Sequence, residues 1–158
     1  MTPTSTQRKL CRSLGPDYEI KLFDLEYVIY RDFHNGFDIE VSRTAGKGRC
    51  DVYLWFEERG PYLNYYDIPK DGLKEVLDFY EKFVGELVKR GFNNHSRLVA
   101  LKERAQELYW PSGYKASREA RSSLKKMIHT NSEYAKELRG SYLELLWKTM
   151  EEMSDGRS

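Results

Sequence analysis

Apolar and polar residues alternate along residues 18–68, and this two-residue period predicts β-strands. The stretch FDIEVSR places Phe37, Ile39 and Val41 on one face and polar residues on the other. CDVYLWFEE and YLNYYDI continue the strand-like pattern further along the chain. Residues typical of turns interrupt the pattern at HNG, TAGKG and RGP. The sequence therefore predicts four antiparallel strands joined as a meander.

After Pro69 the apolar residues recur every three or four positions, which is the period of an amphipathic helix. Four helices are predicted here: over residues 71–90, from Ser96 to a stop at Trp110-Pro111-Ser112-Gly113, over about 116–129 and over 132–152. Asp71 is a suitable cap for the first, and Gly91 a suitable stop. Strands followed by helices predict an α+β fold, a four-stranded antiparallel β-meander followed by about four α-helices.

The length of 158 residues is that of one ordinary domain. Residues 1–16 are polar and end in Gly-Pro, which is typical of a flexible leader or a short capping helix. We predict a single α+β domain over residues 17–152, with the sheet in 18–68 and the helices in 70–152, and a frayed tail over 153–158.

Aromatic residues occupy both faces of the predicted strands between residues 49 and 69. The helix predicted over 71–90 can cover one face of the sheet. The second face carries Tyr53, Trp55 and either Tyr65 or its neighbours, and burying one such side chain stabilises a protein by roughly 1.5–3 kcal/mol. The later helices, another copy of the chain or a ligand must therefore cover it.

The formal net charge of +1 gives the whole chain no attraction to nucleic acid or to acidic membranes. The composition, 40% hydrophobic and 32% charged, contains no apolar run long enough to span a membrane and no secretory signal, so a soluble cytoplasmic protein without a membrane partner is expected. The two cysteines, Cys11 and Cys50, do not form the spacing pattern of a disulfide framework and are expected to be free thiols.

The sequence contains no motif that indicates catalysis or cofactor binding. His34, His95 and His129 are far apart and do not have the spacing of metal ligands, so no metal site is predicted. PDYEIK at 16–21 contains the letters of a nuclease signature, but on a single strand its carboxylates cannot converge on a metal. We therefore predict a non-enzyme with no cofactor and no catalytic residue.

Two features favour binding. The predicted sheet combines aromatic side chains with basic turns, a mixture that suits the stacking of unpaired bases and the holding of phosphates. Its binding residues would be Lys47, Arg49, Tyr53, Trp55 and Tyr65. The alternative is an aromatic core with solvated turn charges.

The second feature is a basic amphipathic helix in the region 115–128, suited to phosphates or to an acidic partner. Its basic residues are Lys115, Arg118, Arg121, Lys125 and Lys126. A solvated helix face is the alternative interpretation.

The order FDIEV, a turn GKGR, CDVYLWFEE, a fourth strand and then DIPKDGLKEVLDFY resembles the PC4-like transcriptional coactivators, over residues 20–90. The resemblance implies a curved sheet that forms a homodimer and binds single-stranded DNA, with Lys47, Arg49, Tyr53 and Trp55 at matching positions. The chain differs in having Tyr-Leu where that family has Ile-Arg, an acidic Glu57-Glu58 pair, and three added helices.

Two functional hypotheses follow. The first is a small non-enzymatic protein that binds single-stranded nucleic acid through sheet aromatics and basic turns. The second is a protein-interaction module, such as a phage or mobile-element inhibitor or accessory factor, that docks onto a protein target, because Tyr and Arg are favoured interface anchors.

Overall fold

The computed structural model describes residues 2–46, 48–59, 61–109 and 145–154. The chain divides into two compact units, Met1–Val84 and Gly85–Ser158. The single domain predicted for 17–152 stays a prediction, since two compact units can belong to one domain.

The first unit contains a five-stranded antiparallel sheet in the order β1-β2-β3-β4-β5. Its strands are β1 (Glu19–Phe23), β2 (Glu26–Asp32), β3 (Phe37–Ser42), β4 (Arg49–Phe56) and β5 (Pro61–Pro69). The antiparallel meander and the α+β class are thus confirmed. The number of strands is five and not four.

The additional strand arises because the first predicted strand, YEIKLFDLEYVIYRDF at residues 18–33, folds back on itself at Asp24-Leu25. These two residues have positive φ, 46° and 68°, and Phe23 pairs with Glu26. Two central residues with positive φ are typical of the tight turns that join antiparallel strands. Leucine is unusual in that conformation, so the sequence carried no ordinary turn signal here.

One face of the sheet forms the core. Phe37, Ile39 and Val41 on β3 are fully buried, and they pair with Phe56, Leu54 and Val52 on β4. Helix α2 (Leu73–Lys89) lies on this face, because Glu81 forms a 3.3 Å ion pair with Arg31, the residue paired with Ile39. The helix predicted over 71–90 therefore covers one sheet face, as expected.

The N-terminal residues form a helix, α1 (Ser5–Leu14), which is the second of the two alternatives that the sequence left open for residues 1–16. Thr4 and Gln7 form a capping box, in which each side chain accepts from the other residue's backbone N–H. The buried Gln7 amide also donates to the Tyr27 carbonyl at 3.2 Å and to the Thr44 hydroxyl at 3.0 Å. These bonds anchor the helix to the sheet, so these residues are not a flexible leader.

The second unit is helical in its described part. After α2 the chain turns at Gly91, where the Phe92 N–H donates to the Leu87 carbonyl at 2.7 Å, a C-terminal cap of the Schellman type. Helix α3 (His95–Tyr109) begins one residue before the predicted Ser96, because the Asn94 side chain accepts from the Arg97 N–H. Residues 145–154 are helical, within and just beyond the helix predicted over 132–152.

The helix predicted over 116–129 and the end of the predicted tail, 155–158, lie outside the described residues. In the part of the chain that the structure describes, no helix combines the length and the apolar character needed to cross a membrane.

Candidate interaction surface

The face of the sheet opposite the core carries aromatic rings and carboxylates side by side. We call it the acidic-aromatic face and define it by Tyr30, Asp38, Glu40, Tyr53, Trp55 and Tyr66. Strand register places Asp38 opposite Trp55, and Glu40 opposite Tyr53. Because side chains at paired positions lie on the same face, each ring has a carboxylate as its direct neighbour.

The electrostatic environment of this face is negative. Burial raises the pKa of Asp38, and the carboxylates of Asp32 and Glu58 raise it further, although a hydrogen bond with Tyr30 works in the opposite direction. Burial likewise raises the pKa of Glu40, and the nearby carboxylates of Glu26, Asp38 and Asp24 add to the shift. A phosphate placed here would meet the same repulsion that these carboxylates exert on one another.

One lysine offsets part of this charge. The Lys21 ammonium lies 4.3 Å from the ring centroid of Tyr30 and 3.4 Å from the Glu19 carboxylate. The Tyr30 hydroxyl is hydrogen-bonded to Asp38, and burial and this bond together raise the pKa of Tyr30. Lys21, Tyr30 and Asp38 therefore link three neighbouring strands.

The aromatic side chains of the face are half-buried, and two of them pack against each other. The rings of Tyr53 and Tyr66 meet edge to face with centroids 5.8 Å apart, and those of Phe23 and Tyr30 do so at 5.7 Å. The indole N–H of Trp55 is buried and has no hydrogen-bond partner among the described residues. These two ring pairs form apolar patches beside the carboxylates.

Tyr65, which the sequence grouped with Tyr53 and Trp55, belongs to the opposite face. It pairs with the buried Val52, and it lies close enough to the buried Tyr80 of α2 to raise the pKa of that residue, after the larger effect of burial. The neighbour Tyr66 takes its place beside Tyr53. A β-bulge near Asp51 shifts the register of β5, which simple alternation could not reveal.

Two carboxylates neutralise Arg43, in the turn that follows β3. Arg43 donates from Nε and Nη2 to both carboxylate oxygens of Asp51, each at 2.7 Å, and also contacts Asp67. These bonds raise the pKa of Arg43, so it stays charged. Because the Asp51 side chain is only 8% exposed, this fork-shaped pair secures β4 to the turn that follows β3.

The predicted binding residue Arg49 lies at the start of β4, half-buried, and donates to the Asp67 carbonyl at 3.0 Å. It lines an open cavity of about 520 Å³ together with Arg43, Gly46, Gly48 and Pro69. The Lys70 ammonium donates to the carbonyls of Thr44 and Gly46 nearby. This cavity is at the β3–β4 turn, where the sequence predicted a phosphate contact.

The structure thus brings Tyr53 and Trp55 together on one face, with Arg49 at the start of the same strand. Lys47 lies outside the described residues, as do Lys115, Arg118, Arg121, Lys125 and Lys126. Sequence reasoning missed Asp38 and Glu40 as members of the face. The polar positions of FDIEV contain these two carboxylates, but their place beside the rings follows only from the pairing of β3 with β4.

The carboxylate, histidine and cysteine side chains of the described residues bear on metal binding and nucleophilic chemistry. Among them, no three His, Cys, Asp or Glu side chains are grouped to hold a metal ion. The Asp32 carboxylate accepts from the His34 N–H at 2.7 Å, as expected for a turn. Burial raises the pKa of the Cys50 thiol to about 11, which disfavours the nucleophilic thiolate.

Comparison with known proteins adds nothing to this geometry: no family model, no curated protein and no solved structure matches the chain.

Proposed function

We propose that this protein is a non-enzymatic interaction module whose acidic-aromatic face docks onto a basic surface of a protein partner. An inhibitor or accessory factor of a phage or mobile element would use such a face. The observation that carries the proposal is the pairing of Asp38 with Trp55 and of Glu40 with Tyr53 across β3 and β4.

The chemistry of this pairing suits a basic partner. Rigid aromatic rings are favoured interface anchors because they bury a large area at a small cost in side-chain entropy. The surrounding carboxylates would attract lysine and arginine side chains and speed the encounter with a basic surface. Arginine is well matched, since it can stack on a ring while its guanidinium pairs with the adjacent carboxylate.

Single-stranded nucleic acid is the second candidate ligand, and the cavity lined by Arg43 and Arg49 favours it. Binding there would use phosphate contacts at the β3–β4 turn and not base stacking on Tyr53 and Trp55. The carboxylates beside those rings would oppose a polyanion, whose binding depends on the release of counterions by basic side chains.

Site-specific crosslinking in the cells that express the protein tests the proposal. A photoreactive benzoylphenylalanine replaces Tyr53 in the full chain, and a second sample carries it in place of the exposed Glu103 of α3. We expect a discrete protein adduct from position 53 and not from position 103. Glu40→Lys should remove the adduct, whereas Glu75→Lys, on an exposed position of α2, should leave it unchanged.

The alternatives give different results. A nuclease-sensitive adduct at position 53 would contradict docking to a protein and support the second candidate. Binding of oligothymidine that falls steeply between about 50 and 200 mM salt, and that an Arg49→Gln substitution weakens, would locate the phosphates at the β3–β4 turn. Equal adducts from positions 53 and 103 would refute the acidic-aromatic face as the docking surface.

A further inference from the structure

Strand β1 lies at one edge of the sheet, and the direction of its backbone groups can be determined from bonds made by β2. The Phe33 N–H donates to the Phe37 carbonyl at 3.1 Å, and the Tyr27 carbonyl accepts from the Thr44 hydroxyl at 3.2 Å. The odd-numbered residues of β2 therefore direct their backbone groups toward β3. Successive residues of a strand alternate in direction, so the even-numbered ones face β1.

The register then separates the residues of β1 into two sets. Glu19, Lys21 and Phe23 pair with even-numbered residues of β2, so their backbone groups point into the sheet. Ile20 and Leu22 consequently direct their N–H and C=O groups away from the sheet. These are the groups to which a further strand would bond.

The outward groups differ in whether they already have partners. The Tyr18 N–H donates to the Gly15 carbonyl at 3.4 Å, and the Tyr18 carbonyl accepts from the Cys11 thiol at 3.5 Å. The outward groups of Ile20 and Leu22 have no hydrogen-bond partner among the described residues. The edge therefore offers a short hydrogen-bonding site that begins where α1 stops covering it.

Apolar side chains surround this open stretch. Leu22 is 51% exposed, Phe23 38% and Leu25 81%, and these are three of the four large apolar residues that are exposed in the described part of the chain. Single exposed apolar residues are ordinary. Here Leu22 and Phe23 lie on opposite faces of β1, so an exposed apolar side chain flanks the unpaired edge on each face.

The charges around the edge are mainly negative. Between residues 17 and 26 the chain carries Asp17, Glu19, Asp24 and Glu26 against one basic residue, Lys21. A strand that alternates apolar and basic residues would complement both the exposed apolar side chains and the negative charge of this edge. Such a strand adds main-chain hydrogen bonds, while its side chains provide the specificity.

A second copy of the chain fits this edge poorly. The symmetric antiparallel register that pairs Ile20 of each copy with Leu22 of the other places the two Lys21 side chains directly opposite each other. Like charges in that position are destabilising, and lysine on an edge strand is a known device against self-pairing.

We propose that the β1 edge binds an extended segment of the protein partner, rich in basic and apolar residues, as a sixth strand of the sheet. This inference rests on the proposed function and describes how the partner is held. The acidic-aromatic face and the edge are adjacent, because Lys21, Phe23 and Tyr30 lie on that side of β1 and β2.

The test uses a fluorescent peptide of alternating valine and lysine and the full-length protein. In the free protein, we expect the amide hydrogens of Ile20 and Leu22 to exchange quickly with solvent and those of Glu19 and Lys21 to be protected. Saturating peptide should slow exchange at Ile20 and Leu22 and leave the inward amides unchanged. The same peptide with alternate N-methylated residues keeps its charge but cannot complete the ladder, and should not protect them.

A matched pair of variants separates the backbone from the side chain. Leu22→Ala and Leu22→Pro both remove the leucine side chain, but only proline removes the outward N–H, a change that an edge strand tolerates. Leu22→Pro should weaken peptide binding about fivefold more than Leu22→Ala, as expected for one hydrogen bond. Lys21→Pro removes an inward N–H and should lower the melting temperature, which checks the assigned direction.

The outcomes distinguish this inference from the proposed function. Unchanged exchange at Ile20 and Leu22 with bound peptide, equal affinities for Leu22→Pro and Leu22→Ala, or no peptide binding up to about 1 mM would overturn strand addition. A protein adduct from position 53 would in that case still support the proposed function. Slower amide exchange at Ile20 and Leu22 with bound peptide, but no protein adduct at position 53, would give a different result. It would support strand addition at the edge and refute docking through the acidic-aromatic face.

Discussion

Asp38 and Trp55 stand directly opposite each other on β3 and β4. Asp38 is also hydrogen-bonded to the hydroxyl of Tyr30 on β2, the other neighbour of β3. A half-buried carboxylate between two aromatic side chains costs stability, since burial disfavours its charged form. That arrangement is retained on the one sheet face that α2 does not cover. The docking role proposed for this face would account for that cost.

The stability lost by keeping a half-buried carboxylate charged can be measured at Glu40, on the same face as Asp38. Its pKa is raised in the folded protein, so the folded state holds the proton more tightly than the unfolded state. The stabilisation of the folded state by the proton on Glu40 is fully present below the unfolded-state pKa. It is lost as the pH rises through the folded-state pKa. Glu40→Gln, which is always neutral, should therefore raise the melting temperature at pH 7 by about 1–2 °C after allowance for solvent screening.

The gain should disappear below about pH 4, where the wild-type carboxyl is also protonated. Glu103→Gln on the exposed side of α3 serves as the control and should change little. Melting curves of the wild type, Glu40→Gln and Glu103→Gln, recorded from acid to neutral pH, test this prediction. A pH-independent gain would show that side-chain shape, not charge, limits stability at position 40.

Arg43 is expected to contribute more to stability than any other turn residue described above, because it is bonded to Asp51 and Asp67. Arg43→Ala leaves the nearly buried Asp51 carboxylate without its charged partner and should lower the free energy of unfolding by about 1.5–3 kcal/mol. Arg43→Lys keeps the charge but not the fork geometry, so its loss should be intermediate. Urea denaturation measures both, with the exposed Arg59→Ala as control. Equal stabilities of the lysine variant and the wild type would argue against the fork.

Gly36 is required in the turn between β2 and β3. Its φ is +97°, and an added Cβ would lie 2.8 Å from Cε1 of Phe56, whose ring packs on Phe37 with centroids 4.7 Å apart. Gly36→Ala should therefore cost roughly 1–3 kcal/mol of unfolding free energy. Gly85→Ala on α2 meets nothing within 4 Å and should stabilise by roughly 0.5–1 kcal/mol. Thermal unfolding of the pair provides the comparison, and a tolerated alanine at position 36 would contradict the described turn.

Leu25 has an unfavourable backbone conformation at the tip of the β1–β2 hairpin. Its φ is +68° and its side chain is 81% exposed, so glycine would relieve strain without loss of core packing. Leu25→Gly creates an Asp-Gly turn and should raise the free energy of unfolding by up to about 1 kcal/mol. Leu22→Gly, the same change on extended backbone, should lower it. If both variants lose stability, the hairpin tip is packed more closely than its exposure indicates.

The sequence by itself determined the β3–β5 part of the sheet, α2 and the α+β class. Alternation in FDIEVSR and CDVYLWFEE, the Asn35-Gly36 turn and the helical period after Pro69 are local signals, and each was sufficient because neighbouring residues alone decide those elements. The division of β1 from β2 was not predictable in this way. Its turn uses Leu25, whose local preference opposes the conformation that the paired strands impose.

The character of the candidate site was decided only by the tertiary structure. Which carboxylate lies beside which ring depends on strand register, and register joins residues that are not neighbours in the sequence, such as Glu40 with Tyr53 and Asp38 with Trp55. The β-bulge opposite Asp51 lets Tyr65 and Ile68 share the core face and leaves Tyr66 beside Tyr53. The sequence supplied the aromatic residues, and the pairing of strands determined that their surroundings are acidic.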